Sequence, residues 1–284
     1  MRVADACTIA LCGAALAAAC AVPRPSSTAD EMPRIEDVAG PGLLFDVRYL
    51  RDDGDDATRI AARLLAAGPH LSRWGAFRHR VSIRILPDHA ALENRIGLHG
   101  YPWLRAWAFG DQVLLQSPRS WIDTAADTDE LAELLVHELT HALMYQLAQP
   151  REGGFPEEPP FWFREGMASV TAEQGHRRLG ADALQRWRRA HPATDLLHPS
   201  AELYRTEKEA VYSAAHHAFE RLVALNGDRA VRAVLRGVRS GAPFQDAFAS
   251  ATGHSLAAFE ADARRSGYST SSLATPGSSG AGGP

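Results

Sequence analysis

The stretch Glu130-Leu-Ala-Glu-Leu-Leu-Val-His137-Glu138-Leu-Thr-His141-Ala-Leu-Met-Tyr145 decides how the rest of the chain is read. Its apolar residues Leu131, Leu134, Leu135, Leu139 and Leu143 recur at helical spacing, and Thr128 or Asp129 stands where a cap is needed. In a helix, His137 and His141 are four residues apart and lie on one face, one turn from each other. Two imidazoles so placed can share one metal ion, at about 2.0–2.1 Å from each nitrogen if the ion is zinc. Glu138, next in the turn, would lie close to that ion, angled to hold a water rather than to ligate. A surface helix carrying three unrelated polar residues is the competing reading, so the flanking sequence has to decide.

The flanking stretch that matters is Phe161-Trp-Phe-Arg-Glu165-Gly-Met-Ala-Ser169, which follows the breaker Pro159-Pro160 and reads as a second helix. Zinc held by two histidines needs a third protein ligand and keeps its fourth position for water. Glu165 is far enough past His141 for a loop and a returning helix to bring its carboxylate to the metal. Gly166 beside it would let the two helices approach closely. Cys7, Cys12 and Cys20 all lie in the first twenty residues. The remainder therefore has no thiolate ligand, no catalytic cysteine and no disulfide framework, and any metal must be held by His, Asp or Glu.

His-Glu-Leu-Thr-His followed by Trp-Phe-Arg-Glu-Gly-Met-Ala resembles the gluzincins, and specifically the peptidase MA-like group related to thermolysin and the zinc aminopeptidases. The resemblance runs from about Leu43 to Ala263 and includes weaker late features: Tyr212-Ser-Ala-Ala-His216-His217, Asn226-Gly227-Asp228, and the stretch from Phe244 to Gly253. It implies an α+β, zincin-like fold, with a small mixed N-terminal sheet lobe and a mostly helical C-terminal lobe carrying the HExxH helix. It also implies Zn²⁺ on His137, His141 and Glu165, Glu138 as the catalytic base, and a peptide or protein as substrate. Members of the clan stabilise the oxyanion with a Tyr or His from a downstream helix. Tyr212 is the candidate here, with His216 one turn further on the same face; both, like His217, can also be read as helix-packing residues.

Departures from the family pattern shape the rest of the expectation. Ser169, one turn after Glu165, could orient a ligand, although thermolysin has an acid at the equivalent place; Arg164 is the other candidate for a local partner. Zinc aminopeptidases carry a Gly-x-Met-Glu-Asn strand whose acid binds the free amino terminus, and Arg105 to Gln116 contains no glutamate. That favours endopeptidase action, with an extended peptide added to the strand edge. The same metal site could act on a non-peptide amide. The alternative is a non-catalytic zincin-fold envelope lipoprotein with a binding or assembly role, against which the intact Glu138 speaks.

The chain has 284 residues, 45% hydrophobic and 23% charged, with a net charge of −4. That is ordinary for a soluble globular protein, and no basic patch points to nucleic acid. Lys208 is the only lysine. Arg2 and the apolar run from Ile9 to Ala19 read as a signal peptide over 1–20, too short for a permanent span. Leu16-Ala-Ala-Ala-Cys20 resembles a bacterial lipobox, so the expected location is the cell envelope, lipid-anchored at Cys20; secreted or periplasmic is the alternative. A flexible linker over 21–40, a peptidase MA-like domain over 41–265 and a disordered tail over 266–284 complete the expected organisation.

Shorter signals place the remaining elements. Strands are expected over Leu43–Leu50 and around Val81, Ile83 and Ile85. Between them lies a helix capped by Asp55 or Asp56, with Ile60, Leu64 and Leu65 on its inner face. Asp88 should cap a short helix through Ile96. Arg105–Phe109 and Gln112–Gln116 read as a hairpin joined at Gly110-Asp111.

Overall fold

The computed structural model describes residues 34–40, 42–121, 128–149 and 158–266. The expected signal segment, most of the linker and all but the first residue of the tail lie outside them. Among the described residues one mixed sheet forms from β1 (Arg34–Gly40), β2 (Leu43–Arg48), β3 (Val81–Leu86), β4 (Ala106–Phe109) and β5 (Gln112–Gln116), in the order β1-β2-β3-β5-β4. The inner pairs β2–β3 and β3–β5 are parallel and the outer pairs antiparallel. Parallel neighbours need crossovers. Helices α1 (Gly54–Ala66) and α2 (Gly68–Ser72) supply the first, and α3 (His89–Ile96) with β4 the second.

The unbroken apolar run Val113-Leu114-Leu115 in β5 follows from a sheet covered on both faces. Val113 and Leu115 join the main core, while Leu114 joins a smaller cluster with Leu86, Leu92, Tyr101 and Leu104. Asp88 caps α3 as expected, its side chain accepting from the Ala91 N–H at 2.8 Å. Gly110, at φ +53°, makes the turn between β4 and β5.

Three details differ from the sequence reading. The segment expected to be a flexible linker already contains β1, paired along β2. Neither Asp55 nor Asp56 caps α1, which begins at Gly54 after Asp53. Leu65 is 46% exposed while Ile60 and Leu64 are fully buried, so the inner face of α1 is narrower than its leucines suggest.

The remainder is helical: α4 (Thr128–Ala148), α5 (Phe161–Thr171), α6 (Ala181–Ala190), α7 (Ala201–Thr206), α8 (Lys208–Arg239), α9 (Phe244–Thr252) and α10 (Leu256–Arg265). A left-handed Gly227, at φ 72°, breaks α8 into two rods. Helix α4 buries Leu131, Leu135, Leu139, Ala142 and Leu143, and one contiguous core runs from Val38 in β1 to Ala263 in α10. Polar ties reinforce it. Trp74 Nε1 donates to Thr171 Oγ1 at 2.7 Å, and Arg73 forks onto Asp228 at 2.7 and 2.8 Å. Gln146, near the end of α4, accepts from the Arg78 and His79 N–H groups at 2.7 and 3.1 Å. Its amide nitrogen donates to the His79 carbonyl and to Asp111, at 3.1 and 2.7 Å.

Candidate metal centre

Helix α4 presents His137, Glu138 and His141 on successive parts of one turn, and α5 presents Glu165 opposite them. His137 Nε2 and His141 Nε2 are 3.2 Å apart. Glu165 Oε2 is 3.4 Å from the first and 3.5 Å from the second. Two imidazole nitrogens and a carboxylate oxygen thus form a nearly equilateral triangle. Donor atoms on a tetrahedral zinc, with bonds of about 2.0–2.1 Å, stand about 3.3 Å from one another. The triangle fits one zinc ion on three protein donors. Among the described residues, it is the one such group whose donor atoms all meet.

The sequence reading gave Gly166 a part in the approach of α4 and α5, but its role lies elsewhere. A Cβ there would stand 2.5 Å from Phe219 Cβ and closer still to the Ala215 carbonyl oxygen, both on α8. The bare glycine lets α5 seat on α8, and that seating aims Glu165 at the histidines.

Electrostatics separates the two glutamates. Burial pushes the Glu138 carboxyl up to about 7, with Glu165 adding to the rise while His137 and the Ala108 backbone N–H oppose it. Burial would raise Glu165 as well, but the His141 charge and hydrogen bonds from both imidazoles hold it well below the usual carboxylate range. One carboxyl stays anionic as a ligand must, and its neighbour sits where a proton can be taken and returned.

The Ala108 contact also locates the sheet edge. Gln116 N–H donates to the Arg105 carbonyl at 2.8 Å, and the register pairs Ala106 with Leu115 and Ala108 with Val113. Antiparallel alternation then turns the polar groups of Ala106 and Ala108 away from β5, toward the side that has no further strand among the described residues, beside Glu138.

Tyr212 on α8 packs against the centre, its ring centroid 6.3 Å from that of His137. Its hydroxyl is 2.8 Å from that of Tyr204 on α7. Burial raises both phenols well above their ordinary pKa, so both keep their protons. Trp103 completes an aromatic wall, its centroid 6.0 Å from Tyr212 and 5.2 Å from Tyr204.

His216 is held differently. Its Nδ1 is 2.9 Å from Ser169 Oγ and its Nε2 is 3.4 Å from Glu220, so both nitrogens face those partners rather than the triangle. Ser169, expected as a possible ligand-orienting donor, instead bonds His216 and accepts from Arg178 Nε at 3.1 Å. Arg164 pairs with Glu158 at 3.1 Å and His217 with Glu220 at 3.1 Å, so neither bonds a ligand candidate.

The partner that orients His137 is not announced by the sequence. Gln174 Oε1 lies 3.0 Å from His137 Nδ1 and also accepts from Arg178 Nη2 at 2.8 Å. A carbonyl oxygen accepts only, so Nδ1 carries the proton and Nε2 offers its lone pair to the triangle. Glu173 just before it is the sole non-glycine residue with positive φ among those described, at 55°. That left-handed step ends α5 and turns Gln174 back toward α4. No local motif announces such a residue; the one sequence cue is an amide shortly after the helix that carries the third ligand candidate.

No family model matches the chain, and no curated protein matches it. Among solved structures it is similar to a mutant M1 zinc metallopeptidase from Deinococcus radiodurans bound to a Tyr-Ser-Ala substrate. Identity is 15% and the TM-score 0.44, over 82% of this chain and 50% of that one. A second structure of M1 zinc metallopeptidase from that organism has 14% identity and a TM-score of 0.41, over 82% and 49%. A two-domain M1 zinc metallopeptidase mutant bound to L-tryptophan has 16% identity and a TM-score of 0.41, over 83% and 51%. The chain spans about half the length of these structures.

Proposed function

We propose that this chain is a zinc-dependent metallopeptidase that hydrolyses peptide bonds with water as nucleophile. The observation that carries this reading is the triangle of His137, His141 and Glu165, sized for one zinc ion and set beside a buried Glu138. Zinc held there supplies Lewis acidity toward a scissile carbonyl and toward the attacking water. Glu138 takes the proton of that water and delivers it to the departing amine. Tyr212 keeps its proton and, supported by the Tyr204 hydroxyl, donates to the carbonyl oxygen as negative charge gathers on it. Gln174 fixes the tautomer and tilt of His137.

The open edge of β4 favours an endopeptidase. The outward Ala106 N–H and the Ala106 and Ala108 carbonyls suit an extended backbone laid alongside, the Ala108 N–H being held by Glu138, and β4 has no acid to hold a free amino terminus. The test is metal analysis of purified protein together with digestion of a mixed peptide library. About one zinc per chain, lost in His137→Ala and His141→Ala, with internal cleavages abolished by a chelator, is expected. Full metal content in both variants, or a zinc-loaded protein that cuts nothing, would overturn the reading.

Export is part of the proposal and rests on the N-terminal sequence alone. Among the described residues no helix is long and apolar enough to cross a membrane. Attachment through a diacylglyceryl group on Cys20 would place the enzyme at the bacterial envelope, and Cys20→Ser should then release it from the membrane fraction.

A further inference from the structure

Three cations gather around the aromatic wall, and none has a carboxylate partner among the described residues. Some arginines elsewhere in this chain pair closely, Arg73 with Asp228 at 2.7 Å, Arg221 with Asp262 at 2.6 Å and Arg264 with Asp195 at 2.8 Å, while Arg232 and Arg239 bond backbone carbonyls. Arg178 instead bonds Ser169 and Gln174 and lies 5.1 Å from the centre of the Tyr212 ring. Arg105 donates to neutral acceptors, the Pro102 carbonyl at 3.0 Å and Gln116 Oε1 at 3.4 Å. Lys208 Nζ sits 5.1 Å from the centre of the Trp103 ring.

Their placement relative to the metal centre is also set. Lys208 precedes Tyr212 by four residues on α8, so it occupies the same face one turn earlier. Arg105 immediately precedes the edge strand β4. Lys208 senses the other two: burial lowers its pKa, and Arg105 and then Arg178 lower it further. Glu130 and Glu209 act on Lys208 in the opposite direction without forming an ion pair with it. Glu165 and Glu133 act on Arg178 in the same sense, also without a direct ion pair. Like charges held together without a directly paired carboxylate are costly, and an incoming anion relieves that cost.

We propose that Arg105, Arg178 and Lys208 form a carboxylate-accepting subsite at the rim of the metal cleft. It takes an Asp or Glu side chain, or a free C-terminal carboxylate, of a peptide lying along β4. The inference rests on the peptidase reading above and gives it a substrate class.

The experiment compares doubly blocked, internally quenched peptides carrying Asp or Asn at each position flanking the cleaved bond. A second pair compares free-acid with C-terminally amidated peptides. Turnover is read as kcat/KM on the wild type. Binding is read separately by calorimetry on zinc-loaded Glu138→Gln protein. One charged series should be favoured by about tenfold at low salt, as charge-assisted contacts are, and less so at about 0.5 M salt. The charged-to-neutral ratio should fall toward one in Lys208→Gln and Arg105→Gln. It should persist in Lys208→Arg and in Arg229→Gln, a charge-matched change near the other end of α8. Preference in the blocked series assigns the side chain, and preference in the free-acid series assigns the C-terminus. Equal turnover and equal binding of charged and neutral peptides would overturn the subsite and leave the peptidase reading standing. A binding preference without cleavage would support the subsite and overturn the peptidase reading, and absence of both would overturn both.

Discussion

Glu138 stands between His137 and the edge strand β4, its carboxyl pushed up to about 7 because burial opposes its ionisation. Glu138→Gln preserves the shape but cannot accept a proton. The variant should fold, hold zinc near normally and lose about 10²–10⁴-fold in activity, the range for a removed acid–base. Glu165→Gln should lose metal as well as activity, since a neutral amide replaces an anionic donor. Metal content and turnover measured on both proteins separate the two roles, and near-normal turnover in Glu138→Gln would sink the mechanism. Tyr212→Phe should retain zinc and lower kcat by about 10²–10³-fold with little change in KM. Tyr204→Phe, which removes only the hydroxyl behind Tyr212, should cost less; equal losses in kcat would show that Tyr212 is not the donor.

The same residues show what can be read before a structure exists. His137 and His141 are legible because helical periodicity converts a spacing of four into a shared face. Glu165 is legible because its motif follows a helix break. Gln174 and Tyr204 are not, because one reaches the site through a left-handed turn and the other through a neighbouring helix. His216 shares a face with Tyr212, but periodicity cannot reveal that Ser169 and Glu220 occupy its nitrogens.

Among elements, the seat of α5 on α8 has the least tolerance. Gly166→Ala would force a methyl group into the Ala215 carbonyl and Phe219. Overpacking of this kind costs about 1–3 kcal/mol, and here the obstructing group is backbone. Thermal melting should show a clear loss of stability, with zinc affinity falling in parallel as Glu165 is displaced. An unchanged melting temperature would mean the helices separate freely. At the other edge of the sheet, β1 is not legible in the sequence for a definable reason. Its pairing slips between Ile35 and Val38, and that irregularity breaks the alternation by which strands are found in sequence. The hairpin of β4 and β5 has no such slip and was legible from Gly110-Asp111.

For the molecule as a whole, the sheet and helical lobes share one core, and its pH response has an identifiable source in α8. Hydrogen bonds from His216 and then His217 hold Glu220 at about 2, below its ordinary 4.5. A depressed carboxyl contributes stability that is present above 4.5 and lost as pH falls toward 2. His217 behaves in the opposite sense. Burial would lower it, yet bonds to Glu220 and the Leu179 carbonyl raise it above 6.5. Its contribution is present below 6.5 and lost as pH rises through the raised value. Urea midpoints at about pH 3, 5.5 and 8 should peak at the middle value, and Glu220→Gln should flatten both limbs of that profile. An unaltered profile in the variant would place the pH response elsewhere.

Gln146 has a consequence for how the two lobes open to solvent. Its side-chain amide meets the Arg78 and His79 N–H groups and the His79 carbonyl much as a neighbouring strand would, from a helix far along the chain. Arg78 and His79 lie in a loop, exposed like any connector, and should exchange their amide hydrogens within seconds if the loop moved alone. Bonded to Gln146, they can exchange only when α4 withdraws. Their deuterium uptake should therefore follow the slow amides of β3, and Gln146→Leu should free these two positions first. Helix α4 and the sheet would then breathe as one body, and amides in a surface loop would time the opening of the interior.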